Sequence, residues 1–263
     1  QTYQGLSSTL QRTAMRLNGT QVIINPVYSH LSDFVHSLPA IYDKEGELVD
    51  DERNQIRFFT VEGRTIVVKR FKKPMLHQRF DYTVFRPSKA KRAYLYGRKL
   101  VELGISTPTP IACIETSRKG LFYQGYLVTE FCGDPDARIS REEPEKHDDL
   151  VEAIAQFLVD CHEKGFIHGD TNLSNFLYHK ETSGYHITTI DINRSRFVED
   201  PSREDCVRNL MRLTHVRPAL QKLVGLYAEL RGWNAEWASV LAIQKLEAFE
   251  KRRELKHKMR KKK

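Results

Sequence analysis

The stretch Phe166-Ile167-His168-Gly169-Asp170-Thr171-Asn172-Leu173-Ser174-Asn175-Phe176 decides how this chain is read, because a second acid, Asp191, follows it at a telling distance. After Asn175 comes Phe176-Leu177-Tyr178-His179, apolar, aromatic and strand-like. Lys180-Glu181-Thr182-Ser183-Gly184 is polar and closes on glycine, which marks a turn. Tyr185 to Ile190 is a second β-prone run. The unit reads as an antiparallel hairpin that Asn175 enters and Asp191 leaves, so both sit at its open end, on strands about 5 Å apart. A carboxylate and a side-chain carbonyl held that close are hard oxygen donors of the kind Mg2+ accepts. Asp170 lies just before them in the loop, placed to take the proton of a hydroxyl. A surface loop with a turn asparagine and a strand-capping aspartate would account for any one of these residues, but hardly for the ordered set.

Working outward, Asn54 to Val61 and Arg64 to Phe71 read as two strands joined at Glu62-Gly63, a hairpin. Lys69 ends an apolar, β-branched run. Lys89 to Leu103 has helical character, with Leu95, Leu100 and Leu103 among basic residues. Gly104 ends it, and Thr107-Pro108-Thr109-Pro110 forbids continuation. Leu121 to Asp134 reads as a strand running out into a linker. Asp148 to Glu163 is a helix, with Leu150, Ile154, Phe157, Leu158 and Cys161 on one face, and it leads directly into the Asp170 loop.

His-x-Asp with Asn five residues after the Asp is the catalytic-loop pattern of protein-kinase-like enzymes. The chain resembles, more narrowly, the Kdo/WaaP family of bacterial lipopolysaccharide kinases, a branch of that fold. The residues that carry the resemblance are Val68-Lys69-Arg70-Phe71, Gly104 to Pro110, His168-Gly169-Asp170-x4-Asn175 and Ile190-Asp191-Ile192-Asn193-Arg194-Ser195-Arg196-Phe197, over about residues 20 to 220. The last stretch has Asp-Ile-Asn where protein kinases carry Asp-Phe-Gly. The resemblance implies an α+β, bilobal protein-kinase-like fold: a small, mainly antiparallel β lobe with one helix over residues 1–129 (with a leading segment, 1–19), a hinge at 130–134, and a mainly helical lobe over 135–263. It implies ATP- and Mg2+-dependent phosphorylation of a sugar hydroxyl, on Kdo or heptose, in the inner core of lipopolysaccharide attached to lipid A. Asp170 is then the catalytic base, Asn175 and Asp191 the metal ligands, and Lys69 the phosphate contact. The Glu130 carbonyl and Cys132 amide would meet adenine at the hinge.

The pattern departs from protein kinases in three places. The 89–103 helix should offer a glutamate to Lys69, but its only acid is Glu102, and Leu95 stands where the glutamate is expected. No G-x-G-x-x-G loop is present, and Asp43 to Val49, with one glycine, is the stretch available for its place. No A-P-E follows Asp191. A short segment there leaves an open acceptor site, which favours a sugar or lipid headgroup over an extended peptide. Two rival readings are a Bud32- or RIO-like protein kinase, which shares HGD-x4-N but keeps Phe after the second Asp, and a nucleotide-binding pseudokinase scaffold.

Composition fits two lobes within 263 residues, 40% of them hydrophobic. Cys113, Cys132, Cys161 and Cys206 have no CxxC spacing, which reads as a reducing, cytoplasmic setting. Histidines are scattered without ligand spacing, so no zinc site is expected. No apolar run is long enough to span a membrane, and no secretory leader is read. The net charge of +8 is uneven: residues 69–99 hold eleven Lys/Arg against one Asp, residues 250–263 nine against two Glu, and the remainder sums to −9. These blocks predict peripheral contact with the anionic inner face of the cytoplasmic membrane and suit a phosphorylated glycolipid acceptor. The tail has no interleaved aromatics, so a nucleic-acid partner is not expected.

Overall fold

A computed structural model describes residues 18–52, 54–142 and 144–261. The leading segment 1–19 lies outside these residues apart from its last two, as do the last two residues of the basic tail. The chain divides into two compact units, residues 1–94 with 110–130, and residues 95–109 with 131–263. Residues 95–109 therefore group with the second unit, although they precede the hinge expected at 130–134.

The first unit is built on one antiparallel sheet. Its strands are β1 (Asn18–Ile24), β2 (Glu47–Asp50), β3 (Gln55–Val61), β4 (Arg64–Arg70), β5 (Pro110–Arg118) and β6 (Leu121–Glu130). They lie in the order β1-β5-β6-β4-β3-β2. The expected β3–β4 hairpin closes through Glu62 at φ 51° and Gly63 at φ 75°. Two successive positive φ values are what a two-residue hairpin turn needs to match strand twist. Two further helices, α1 (Ser32–Ile41) and α2 (Leu76–Val84), accompany the expected α3 (Lys89–Glu102), which starts in this unit and ends in the second. Helix α1 buries Val35 and Leu38 against Phe59, Ile66, Val68, Ile114 and Val128 on one sheet face. Tyr42 closes that core and donates its hydroxyl to the Gln55 carbonyl at 2.8 Å. Because side chains alternate along a strand, Lys69 points to the opposite face from Val68.

The second unit is mainly helical: α4 (Asp148–Glu163), α5 (Arg203–Leu210), α6 (Arg217–Leu230) and α7 (Ala235–Lys261). Its β structure is short, with β7 (Phe166–Ile167) paired to β10 (Arg196–Phe197), and β8 (Phe176–Glu181) paired to β9 (Gly184–Thr189). Helix α4 buries Leu150, Ile154, Leu158 and Cys161 of the stripe its spacing predicts, with Phe157 partly buried, and adds Val151. Helix α7 packs by Ala238, Ala242 and Leu246, whereas Trp237 and Val240 remain exposed. Its small buried residues let it lie close to α6. A second, smaller core joins the C-terminal half of α3 (Tyr96, Leu100) to Ile105, Cys161, Phe166 and Ile192. Gly104, at φ 66°, ends α3, and Ile105 donates back to the Leu100 carbonyl at 2.9 Å. Among the described residues no helix is long and apolar enough to cross a membrane.

Candidate active site

The loop after α4 is placed by two glycines at which any side chain would force the backbone to shift. Gly165 sits at φ 72°, and a Cβ there would lie 2.3 Å from the Val198 carbonyl oxygen. A Cβ on Gly169 would lie 2.1 Å from the Arg194 carbonyl oxygen. The two segments are pressed together where β7 meets β10. His168 and Asp170 therefore run directly beside the chain that carries Asp191.

His168 ties the two segments by both ring nitrogens. Nδ1 accepts from the Asp170 backbone N–H at 3.0 Å, and Nε2–H donates to the Ile190 carbonyl at 2.9 Å. That pattern requires the neutral ring protonated on Nε2. Burial of the ring pushes its pKa down, which keeps it neutral. The Asn175 amide nitrogen donates to the Asp170 carbonyl at 2.8 Å, and the Ile190 N–H donates to the Asn175 carbonyl at 2.9 Å. Asp170, Asn175 and Asp191 are thus brought together by one hydrogen-bond net that passes through His168 and the mouth of the β8–β9 hairpin. The hairpin turn is shorter than the sequence suggests, because β8 runs on to Glu181 and leaves only Thr182 and Ser183 between the strands.

Asp191 adopts the left-handed conformation, φ 58° and ψ 42°. For a non-glycine residue this costs about 1–2 kcal/mol, least for Asp and Asn. Its carboxylate accepts from the Asn193 amide at 2.8 Å, so the residue two positions on steadies the turned side chain. With its nitrogen committed to the Asp170 carbonyl, Asn175 has its amide oxygen to offer. A carboxylate and an amide oxygen fit Mg2+, which takes few protein ligands and completes its shell with water and phosphate. Among the described residues no group of three His, Cys, Asp or Glu is arranged to hold a metal. A two-donor site of this kind suits a cation delivered with a nucleotide better than a resident one.

Sequence reasoning passed over the residues around Asp170. Arg212 lies 2.8 Å from one carboxylate oxygen and Arg194 lies 3.7 Å from the other. Arg194 follows Asp191 in a motif already singled out and was open to notice. No local pattern marks Arg212, which falls after α5 in a stretch of turn. Asn209 is equally hidden: it donates to the His168 carbonyl at 2.6 Å and accepts from His162 at 3.0 Å. His162 in turn receives the Tyr227 hydroxyl at 2.8 Å, so the loop is anchored through three helices, α5, α4 and α6.

The other expected residues are spread along the chain. Lys69 is on β4, paired across the sheet with Ile56 and Leu127, its ammonium 5.5 Å from the Phe71 ring centre. Cys113 also pairs with Leu127, so Lys69, Cys113 and, two residues on, Glu115 share one sheet face. Glu115 is buried, an acid in the same face as Lys69 that a search of α3 alone misses. Glu130 is the last residue of β6. Cys132 follows, its thiol 3.4 Å from Asp134, which also takes a 2.8 Å bond from His179. The Asp43 to Val49 stretch divides into a turn and most of β2, and the connection from β2 to β3 is residues 51–54 instead. Gly46, at φ 75°, is needed because a Cβ would lie 2.8 Å from the Phe58 carbonyl oxygen.

Comparison with known proteins bears on this geometry. A structure described as WaaP in complex with acyl carrier protein aligns with a TM-score of 0.58 at 18% identity, over 87% of this chain and 98% of that one. A Rio2 kinase from Chaetomium thermophilum, in an ADP/Mg2+-phosphoaspartate complex, aligns with a TM-score of 0.45 at 16% identity, over 87% of this chain and 77% of that one. The first likeness shows a protein-kinase-like fold. No curated protein sequence matches the chain. The profile described as the lipopolysaccharide kinase (Kdo/WaaP) family matches residues 44–242, a span that includes the Asp170 loop and Asp191. The chain belongs to the Kdo/WaaP lipopolysaccharide kinase family.

Proposed function

We propose that the protein transfers the γ-phosphate of ATP to a sugar hydroxyl, on Kdo or heptose, of a lipopolysaccharide inner-core glycolipid at the inner face of the cytoplasmic membrane. The observation that carries this reading is the hydrogen-bond net joining Asp170, Asn175 and the backbone before Asp191 through His168. Asp170 orients the acceptor hydroxyl and takes its proton as the oxygen attacks the γ-phosphorus. The leaving group is ADP. Arg212 holds one oxygen of the Asp170 carboxylate at 2.8 Å and so sets which face of it meets the hydroxyl. Asn175 and Asp191 would hold Mg2+ by their side-chain oxygens. When bound, the ion neutralises charge on the phosphates of the nucleotide. Lys69 is the phosphate contact, and the backbone at Glu130 and Cys132 the adenine contact. Catalysis of this kind is mostly positioning and electrostatics, which suits a site whose parts are fixed by backbone hydrogen bonds.

The test supplies labelled ATP and Mg2+ with, separately, Kdo-lipid A, heptosylated lipid A and a generic protein. Label in a glycolipid that vanishes in Asp170→Ala supports the reading. Label only in protein points to a protein kinase, and stabilisation by Mg-ATP without transfer points to a nucleotide-binding scaffold.

A further inference from the structure

Helix α2 is fastened to the sheet by polar bonds and leaves its aliphatic and phenyl groups outside. On the side toward β6, Arg79 Nε donates to the Phe122 carbonyl at 2.7 Å. The Phe122 N–H donates to the Thr83 hydroxyl at 2.8 Å, and Tyr82 meets the Phe122 ring edge-on. On the side away, Leu76, Phe80 and Val84 recur every four residues and are 66%, 52% and 44% exposed. Met75 and Phe85, at the two ends of the helix, are 70% and 68% exposed, and none of the nine residues of α2 is buried. An ordinary surface helix turns its apolar stripe to the core. A contiguous apolar patch left in water marks an interaction surface.

The charge around the patch says what covers it. Residues 72–92 carry seven Lys/Arg against one Asp. Lys72 and Lys73 precede the stripe and Arg86 follows it, all exposed. The exposed cations lead into a cluster on the Tyr123 ring, where Lys73, Arg79 and Arg118 lie 4.0, 5.5 and 5.8 Å from its centre. Apolar groups bracketed by cations are the mark of a helix lying in a bilayer interface, side chains in the acyl region and basic groups among anionic headgroups. Three of the five exposed apolar side chains, Met75, Leu76 and Val84, are aliphatic, which suits acyl chains better than base stacking.

We infer that α2 is a membrane-docking helix that inserts Leu76, Phe80 and Val84 into an anionic lipid surface. The inference deepens the proposed function, resting on its placement of the acceptor in a membrane, and makes α2 rather than the basic tail the element that enters the lipid.

The experiment uses the full chain and vesicles without any acceptor glycolipid, so it reads docking alone. Vesicles of phosphatidylethanolamine with phosphatidylglycerol are compared with phosphatidylcholine vesicles by co-sedimentation. The variants are Leu76→Asp/Phe80→Asp, the reporter Phe80→Trp and a deletion of residues 251–263. Because both substituted positions are exposed, the double variant should melt like the parent. Binding to the anionic vesicles should fall about tenfold or more in the double variant, as lost apolar burial predicts, and less in the deletion. In Phe80→Trp, a fluorescence component absent from the parent should shift to the blue and be quenched by brominated acyl chains. Unchanged binding in a folded double variant would overturn the inference, as would an unquenched reporter or equal binding to phosphatidylcholine. A reporter that responds to an acidic soluble protein but not to vesicles would overturn it in favour of a protein partner. Phosphate transfer to detergent-dispersed acceptor should be the same in the double variant as in the parent. Absence of transfer in both, with vesicle docking intact, would count against the proposed reaction and leave the docking helix standing.

Discussion

Replacing Gly169 by alanine is the sharpest way to ask whether close backbone approach sets the geometry of the Asp170 loop. No special φ is involved at this position, so the change is steric alone. The new Cβ would lie 2.1 Å from the Arg194 carbonyl oxygen, where an ordinary C···O contact is about 3.3 Å. The loop and the segment after Asp191 must part by about 1 Å, and the loop is tied through His168 to Ile190, just before Asp191. Displacement of that size at a site that works by positioning costs about 100-fold in turnover, or about 2.7 kcal/mol of barrier. Overpacking adds a stability loss of about 1–3 kcal/mol, small enough to leave a folded protein at low temperature. The assay is kcat for phosphate transfer alongside ATP affinity, with circular dichroism melting to establish folding. We expect kcat to fall about 100-fold while ATP affinity changes little. A folded Gly169→Ala protein with kcat within about threefold of the parent would refute the idea that contact between these two segments positions the catalytic carboxylate.

Gly225→Ala in α6 is the contrasting case: its Cβ would meet nothing closer than the Ser239 hydroxyl at 3.7 Å. It should therefore stabilise the protein by about 0.5–1 kcal/mol, read as a rise in melting temperature with unchanged turnover. His162 gives a pH dependence. Burial lowers its pKa from 6.5 to about 4, so below pH 6.5 the unfolded chain takes up a proton that the folded one refuses. Stability is full above pH 6.5 and falls as pH drops toward 4, by about 3 kcal/mol at the acid end. Denaturant melts across that window should show the slope, and His162→Gln should flatten it.

The parts of this molecule legible in the sequence are those written locally. The β3–β4 hairpin announces itself by alternating β-branched residues around Glu62-Gly63, and α4 by an apolar stripe of the right period. The Asp170 loop is legible because its chemistry needs particular side chains at fixed spacing. What escaped depends on distant partners. Strand β1 finds β5 some ninety residues later, Ile24 opposite Ala112, and nothing within Asn18–Ile24 names that partner. Helix α1 carries Pro39 inside it, which hides a helical pattern. Helix α2 has its apolar stripe facing out, so a reading that seeks a core face misassigns it. Arg212 and Asn209 reach the site from the α5 region, and only the packed structure brings them there. The β8–β9 turn came out shorter because cross-strand pairing from Lys180 to Tyr185 and from Glu181 to Gly184 outweighs the polar composition of those residues.

The single imidazole at position 168 behaves like a two-ended pin. One end must accept and the other must donate, and a second proton would abolish the accepting end. A second proton on the ring would pull this pin and loosen the loop, and burial, which pushes the ring's pKa down, opposes it. Release of the catalytic loop by protonation of this ring would show as turnover falling together with local hydrogen-exchange protection at the Asp170 amide.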